Sequence, residues 1–152
     1  MRKIHHNLTK AEIKDELFNQ NVDSIKNIYF EKTVHDIAIC RNIFFDKGKV
    51  YAQKYDEFSK YDDYEIEELQ EFKTEHFIKA IKDLHLGEWR KNYDMSKQGL
   101  VVFDGTHWKL EINFGSGYVE KFHGHSTYPY NFELLEMLLN FNAKAFGIIL
   151  NK

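Results

Sequence analysis

The chain has one cysteine, one proline and no hydrophobic run of transmembrane length. A lone Cys40 excludes an internal disulfide and suits a reducing compartment. A membrane-spanning helix needs about 18–20 consecutive apolar residues, and no stretch approaches that. The first residues, MRKIHHNLTKAEIKDEL, carry two early basic side chains but no apolar core after them, so no secretory leader is expected. A cytoplasmic location follows as an expectation. Motifs of recognised chemistry are missing too. There is no phosphate-cradling glycine loop, no Gly-x-Ser-x-Gly and no Cys-x-x-Cys, so no cofactor is expected. Excess positive charge is also lacking. Against 24 acidic residues there are 21 lysines and arginines, a net charge of −3. That argues against general nucleic-acid or membrane-surface binding by charge alone. No repeat, low-complexity segment or linker divides the 152 residues, and one domain, 1–152, is expected.

Aromatic residues make up 16% of the chain and hydrophobic residues 43%, enough for a substantial core. Thr9-Lys10-Ala11-Glu12 has the spacing of a capping box, a hydroxyl followed three residues later by a carboxylate, and a short helix should follow it. From Ser24 to Tyr55 the apolar period is two. Ser24–Lys32, His35–Phe45 and Lys49–Tyr55 read as strands, with Asp46-Lys47-Gly48 as a turn. The middle strand is apolar on both faces and should lie centrally in a sheet. Cys40 in that strand reads as a small core residue, because nothing near it in sequence would lower its pKa.

A long helix is expected from about Asp62 to Leu84. Ile66, Leu69, Phe72, Phe77, Ala80, Ile81 and Leu84 recur near helical period. Asp62, Asp63, Glu65, Glu67, Glu68, Glu71 and Glu75 crowd its first half, and Lys79 and Lys82 lie in its second. That distribution matches the helix dipole and a solvated face. It also suits an acidic ridge on which Asp63, Glu67, Glu68 and Glu71 would bind a basic protein surface. His76 should sit at the core margin. Leu86 to Tyr93 reads as a helix stop and a further helical turn, with Trp89 and Tyr93 stacked four residues apart.

The sharpest alternation lies between His107 and Phe114. Trp108, Leu110, Ile112 and Phe114 form one face, and His107, Lys109, Glu111 and Asn113 the other. Gly115-Ser116-Gly117 supplies a turn, and Tyr118 to His123 returns. Pairing Phe114 with Tyr118 sets Ile112 opposite Glu120, Leu110 opposite Phe122 and Trp108 opposite Gly124. On the polar face it sets Glu111 opposite Lys121, Lys109 opposite His123 and His107 opposite His125. Pro129 and Asn131 should then start a helix from about Phe132 to Ala143, with Asn131 as its cap. Phe146–Leu150 could form a last strand. The sum is an α+β domain: an antiparallel sheet of about five strands with helices mainly on one face.

Two functions suit these residues. In one, His107 and His125 act as acid and base and Lys109 stabilises phosphorane charge, making a metal-independent ribonuclease or phosphodiesterase. His123 and His125, with His107 as a third ligand, also have a spacing that chelates zinc, although no fourth ligand stands at fixed spacing. The same side chains equally suit a solvated strand face. In the leading reading the chain is an interaction module for a larger protein partner, such as a nucleic-acid enzyme. The acidic ridge, the aromatic richness and the missing catalytic motifs motivate it.

Asp104-Gly105, Trp108-x-Leu110-x-Ile112, Gly124 and Tyr128-Pro129-x-Asn131-Phe132, with Trp89 and Tyr93 upstream, form a pattern. It resembles that of uncharacterised small proteins of low-GC Gram-positive bacteria and their mobile elements. The likeness covers Leu84 to Leu139. It departs at Ser126, where the pattern often has asparagine. The resemblance implies the fold and a phage or mobile-element setting, in which an inhibitor, immunity factor or anti-CRISPR-like counter-defence protein would be at home.

Overall fold

The structure, a computed structural model, describes residues 8–34, 37–56, 65–94 and 106–139. Helix α1, Lys10–Asn19, leads through a single 3-10 turn, Val22–Ser24, into three strands: β1 Ile25–Val34, β2 Ile37–Asp46 and β3 Lys49–Asp56. Strand β4, Glu65–Lys73, runs directly into α2, Thr74–Asp83. A second 3-10 turn, Leu86–Glu88, precedes the three-residue β5, Asn92–Asp94. The hairpin β6 His107–Phe114 and β7 Val119–His125 follows, then α3 Phe132–Leu138. The sheet order is β4-β3-β2-β1-β6-β7-β5. Six strands are antiparallel and β5 adds a short parallel edge on β7. The class is α+β, as the patterning implies, with one strand more than expected in the antiparallel part plus the short edge.

Helices cover one face of this sheet. Phe18 of α1 meets Phe114 edge-on at 6.0 Å, Phe77 of α2 meets Phe45 at 5.7 Å, and Phe132 of α3 meets Phe30 at 5.7 Å. The sheet side chains in these contacts all point the same way as the cross-strand row Ala52, Ile43, Ile28 and Ile112, which is fully buried. Each isoleucine or phenylalanine here contributes about 1.5–3 kcal/mol from burial, so this row and its neighbours hold the sheet to the helices. The opposite face carries Asn27, Tyr29, Glu31, Asn42, Lys109 and the hairpin histidines.

Local chemistry sets the elements as the sequence suggests in several places. Thr9 caps α1: its Oγ1 accepts the Glu12 N–H at 3.1 Å, and Glu12 accepts the Thr9 N–H at 2.9 Å. That exchange, the backbone bond first, holds the Glu12 carboxyl below its usual range. Lys47 and Gly48 both have positive φ, 51° and 78°, which makes the β2–β3 connection a two-residue turn of the kind that matches strand twist.

The long helix is not formed. Residues 65–73 are a strand, and helix begins only at Thr74. Glu67, Glu68 and Glu71 therefore lie on a strand and not on a helical ridge, and Asp63 lies outside the described residues. The three-residue spacing of Ile66, Leu69 and Phe72 imitates a helix because β4 departs from regular pairing. Glu68 stands opposite Tyr51 and Lys73 opposite Lys49, so five steps on β4 match two on β3. Helix preference is worth only a few tenths of a kcal/mol per residue. Pairing with the open edge of β3 satisfies a row of backbone groups at once and prevails. The Thr74 N–H then donates to the Gly48 carbonyl at 2.9 Å, and α2 starts against the β2–β3 turn.

Smaller expectations are also corrected. Trp89 is extended and Tyr93 is in β5, so they do not stack on one helix; both pack edge-on or tilted against Trp108, at 6.2 and 6.0 Å. Asn131 does not cap α3 with its side chain. His76 is solvent-exposed on α2, because the buried stripe runs through Phe77, Ile78 and Ile81. Residues 140–152, including the expected last strand, lie outside the described residues.

Candidate functional site

The hairpin has the register expected from its alternation. Trp108 faces Gly124, Leu110 faces Phe122, Ile112 faces Glu120, Glu111 faces Lys121, Lys109 faces His123 and His107 faces His125. The Phe114 N–H donates to the Tyr118 carbonyl at 2.9 Å, and Gly117, at φ 97°, supplies the positive φ that closes the turn. Gly124 is needed for packing. A Cβ there would run into the Trp108 indole and come within 2.7 Å of the Thr127 carbonyl. The indole lies against that strand and donates its Nε1–H to the Thr127 carbonyl at 3.0 Å. Beyond β7, Ser126 takes φ 56°, its N–H donates to the Thr106 carbonyl at 2.8 Å and its Oγ accepts the Thr106 N–H at 3.2 Å.

On the uncovered face the structure brings His107 and His125 into a stack, ring centroids 3.8 Å apart and planes 20° from parallel. Lys109, one row along, reaches towards Glu31 of β1, Nζ to Oε1 3.9 Å. Glu31 also accepts the Tyr29 hydroxyl at 2.7 Å, and that hydroxyl stands 3.4 Å from the Cys40 sulfur. Burial, then these hydrogen bonds, push the Tyr29 hydroxyl far above the usual tyrosine range. Burial likewise raises the Cys40 thiol, which favours its protonated form. Tyr29, Glu31 and Cys40 were invisible as neighbours of the hairpin from sequence. Only the β1–β6 pairing, Glu31 to Lys109 and Tyr29 to Glu111, creates the cluster.

Acid–base cleavage of a phosphodiester needs each imidazole within about 2.6–3.2 Å of its own oxygen, on opposite sides of the phosphorus. Rings stacked at 3.8 Å leave no space for a phosphate between them. His123 does not converge with this pair into a three-ligand group. Among the described residues such a group is formed by Asp15, His85 and Glu88, whose ligand atoms lie within 4.8 Å of one another. There each Asp15 oxygen is engaged, one accepting the Gly87 N–H at 3.2 Å and the other lying 2.7 Å from His85 Nδ1. That arrangement ties α1 to the turn after α2.

The four candidate partner-binding residues are dispersed differently. Glu68 is half-buried opposite Tyr51, 3.9 Å from Lys49 Nζ, and Glu67 pairs with Ala52. Glu71 lies in the irregular stretch between the last regular pair and Lys73. Four of the nine β4 residues are glutamate, and β4 is an outer strand of the sheet. No helix of the described residues is long and apolar enough to cross a membrane. A scan of protein-family models, a search of curated proteins and a search of solved structures each gave no match.

Proposed function

We propose that this chain is a small protein-interaction module that engages the basic surface of a larger protein through the acidic β4 edge. The observation that carries the reading is the placement of Glu65, Glu67, Glu68 and Glu71 on one outer strand. An edge strand presents unpaired N–H and C=O groups, and an extended segment of a partner can add to it by backbone hydrogen bonds. Negative charge along the edge selects a basic segment and repels acidic ones, including another copy of the same edge. Proteins built to handle nucleic acid carry such basic segments. A phage or mobile-element inhibitor or immunity factor, in an anti-CRISPR-like counter-defence, is the biological form this reading takes.

The test is affinity capture from a low-GC Gram-positive lysate, with the natural chain beside Glu67→Lys, Glu68→Lys, Glu71→Lys combined. Retained circular dichroism must show that the variant is folded, because Glu68 is half-buried beside Lys49. A partner held by the natural chain and lost by the variant, with weaker binding at raised salt, supports the reading. A partner retained equally by both removes the β4 edge from it.

A further inference from the structure

We propose that the cavity between α1, the Leu86–Glu88 turn and the tip of the β6–β7 hairpin binds a small apolar monocarboxylate. The cavity is half open and offers about 390 Å³, within the range of small-molecule sites. Its inner wall is aromatic: Phe18, Trp89, Phe114 and Phe122 all line it and are otherwise buried. At the mouth, Leu17 and Tyr118 are 56% and 59% exposed, so apolar surface continues outward where water should otherwise be faced. An apolar ligand body covers both.

The charged groups lining the cavity define the rest of the ligand. Lys91 and Glu120 pair with each other, and the Glu120 side chain is only 13% exposed. Lys14 lines the same cavity and has no ion-pair or hydrogen-bond partner among the described residues. Its ammonium is near enough to reinforce the effect of burial in holding Lys91 below the usual lysine range. Lys14, exposed at the rim, is therefore an uncompensated positive charge among the described residues, placed beside a largely apolar wall. A monoanion balances it. A dianion would find one spare ammonium and the Glu120 carboxylate close by. Lys14, Leu17 and Phe18 share a helix face at i, i+3 and i+4, so α1 presents cation, mouth and wall together. Asp15, tied to Gly87 and His85, holds that face over the cavity.

The experiment titrates the full chain with octanoate and with 3-phenylpropionate, reading the backbone amide resonances of Gly87, Ser116 and Tyr118. Saturable shifts are expected for both acids. Octanol and 3-phenylpropanol should bind at least about tenfold more weakly, the effect of losing one charge-assisted hydrogen bond. Lys14→Glu should weaken the acids by a similar factor, and Leu17→Asp should weaken both acids and alcohols. Lys10→Glu, on the same helix but outside the cavity, should bind like the natural chain. Absence of saturation up to about 10 mM acid, equal binding of acid and alcohol, or unaltered binding by Lys14→Glu overturns the proposal. All three substitutions replace exposed side chains, and retained circular dichroism confirms that each variant is folded.

Discussion

His85 Nδ1 lies 2.7 Å from an oxygen of the buried Asp15 carboxylate, and this contact joins two elements 70 residues apart in sequence. The hydrogen bond to Asp15 raises the His85 pKa above 6.5, outweighing the opposite effect of burial. The folded chain therefore holds this proton more tightly than the unfolded one. The resulting stabilisation is complete below the unfolded pKa, about 6.5, and fades as pH rises through the raised folded value. Urea midpoints of the natural chain and of His85→Gln should thus differ most below about pH 6.5 and draw together as pH rises above it. A difference that does not change with pH would mean that His85 acts by packing and not by its charge. His85 is about half-exposed, so the effect should be modest.

Gly87 lies beneath the same contact. A Cβ there would collide with the Asp15 Cα and lie 2.7 Å from both the Lys14 carbonyl and the Phe18 Cβ. Two of these three obstacles are backbone, which cannot rotate away. Gly87→Ala should therefore push α1 off the turn, at a cost of about 1–3 kcal/mol by the usual penalty of overpacking. Chemical denaturation measures it. An unchanged midpoint would show that α1 can shift freely over residues 86–88.

Asn131 marks where local pattern and tertiary packing part. Its position before α3 suggests a helix cap, yet its side chain is buried and bridges distant elements. Oδ1 accepts the Trp89 indole N–H at 3.0 Å, and Nδ2 donates to the Leu84 carbonyl at 2.7 Å. Asn131→Leu should leave both of those partners buried and unpaired, at about 1–3 kcal/mol each. Asn131→Asp should keep the indole bond but set a carboxylate oxygen against the Leu84 carbonyl in a buried site, so it should cost at least as much as Asn131→Leu. A midpoint for Asn131→Asp equal to that of the natural chain would contradict the role given to Nδ2.

How much of this was legible in the sequence depends on the range of the interaction. The hairpin register was readable because Trp108 to Phe114 alternates strictly and two glycines fix the turn, both local properties. The strands from Ile25 to Asp56 were readable for the same reason. The segment 65–73 was misread because its apolar residues recur every third position. Its actual state depends on the free edge of β3, contributed by residues 11 to 24 positions earlier. The Tyr29, Glu31, Lys109 cluster and the cavity under α1 depend on strand order and helix placement, which no spacing in the chain encodes. Glu120 is instructive. It reads as a misfit on the apolar hairpin face, and it is indeed there, neutralised by Lys91 from outside the hairpin.

The stacked histidines give the last expectation. His107 and His125 face each other directly across β6 and β7, and such a cross-strand pair contributes about 0.2–1 kcal/mol. A double-mutant cycle with His107→Ala and His125→Ala should return a coupling of about that size, and the double variant should stay folded. With the rings 3.8 Å apart, no phosphate fits between them, so the pure chain should release no product from labelled RNA that the double variant fails to release. The assay is run with and without EDTA. Cleavage that resists EDTA, disappears in His107→Ala/His125→Ala and slows in Lys109→Ala would show instead that the rings separate around substrate and act as acid and base. In that event each single histidine substitution should cost about 10²–10⁴-fold in rate, the usual contribution of one general acid or base.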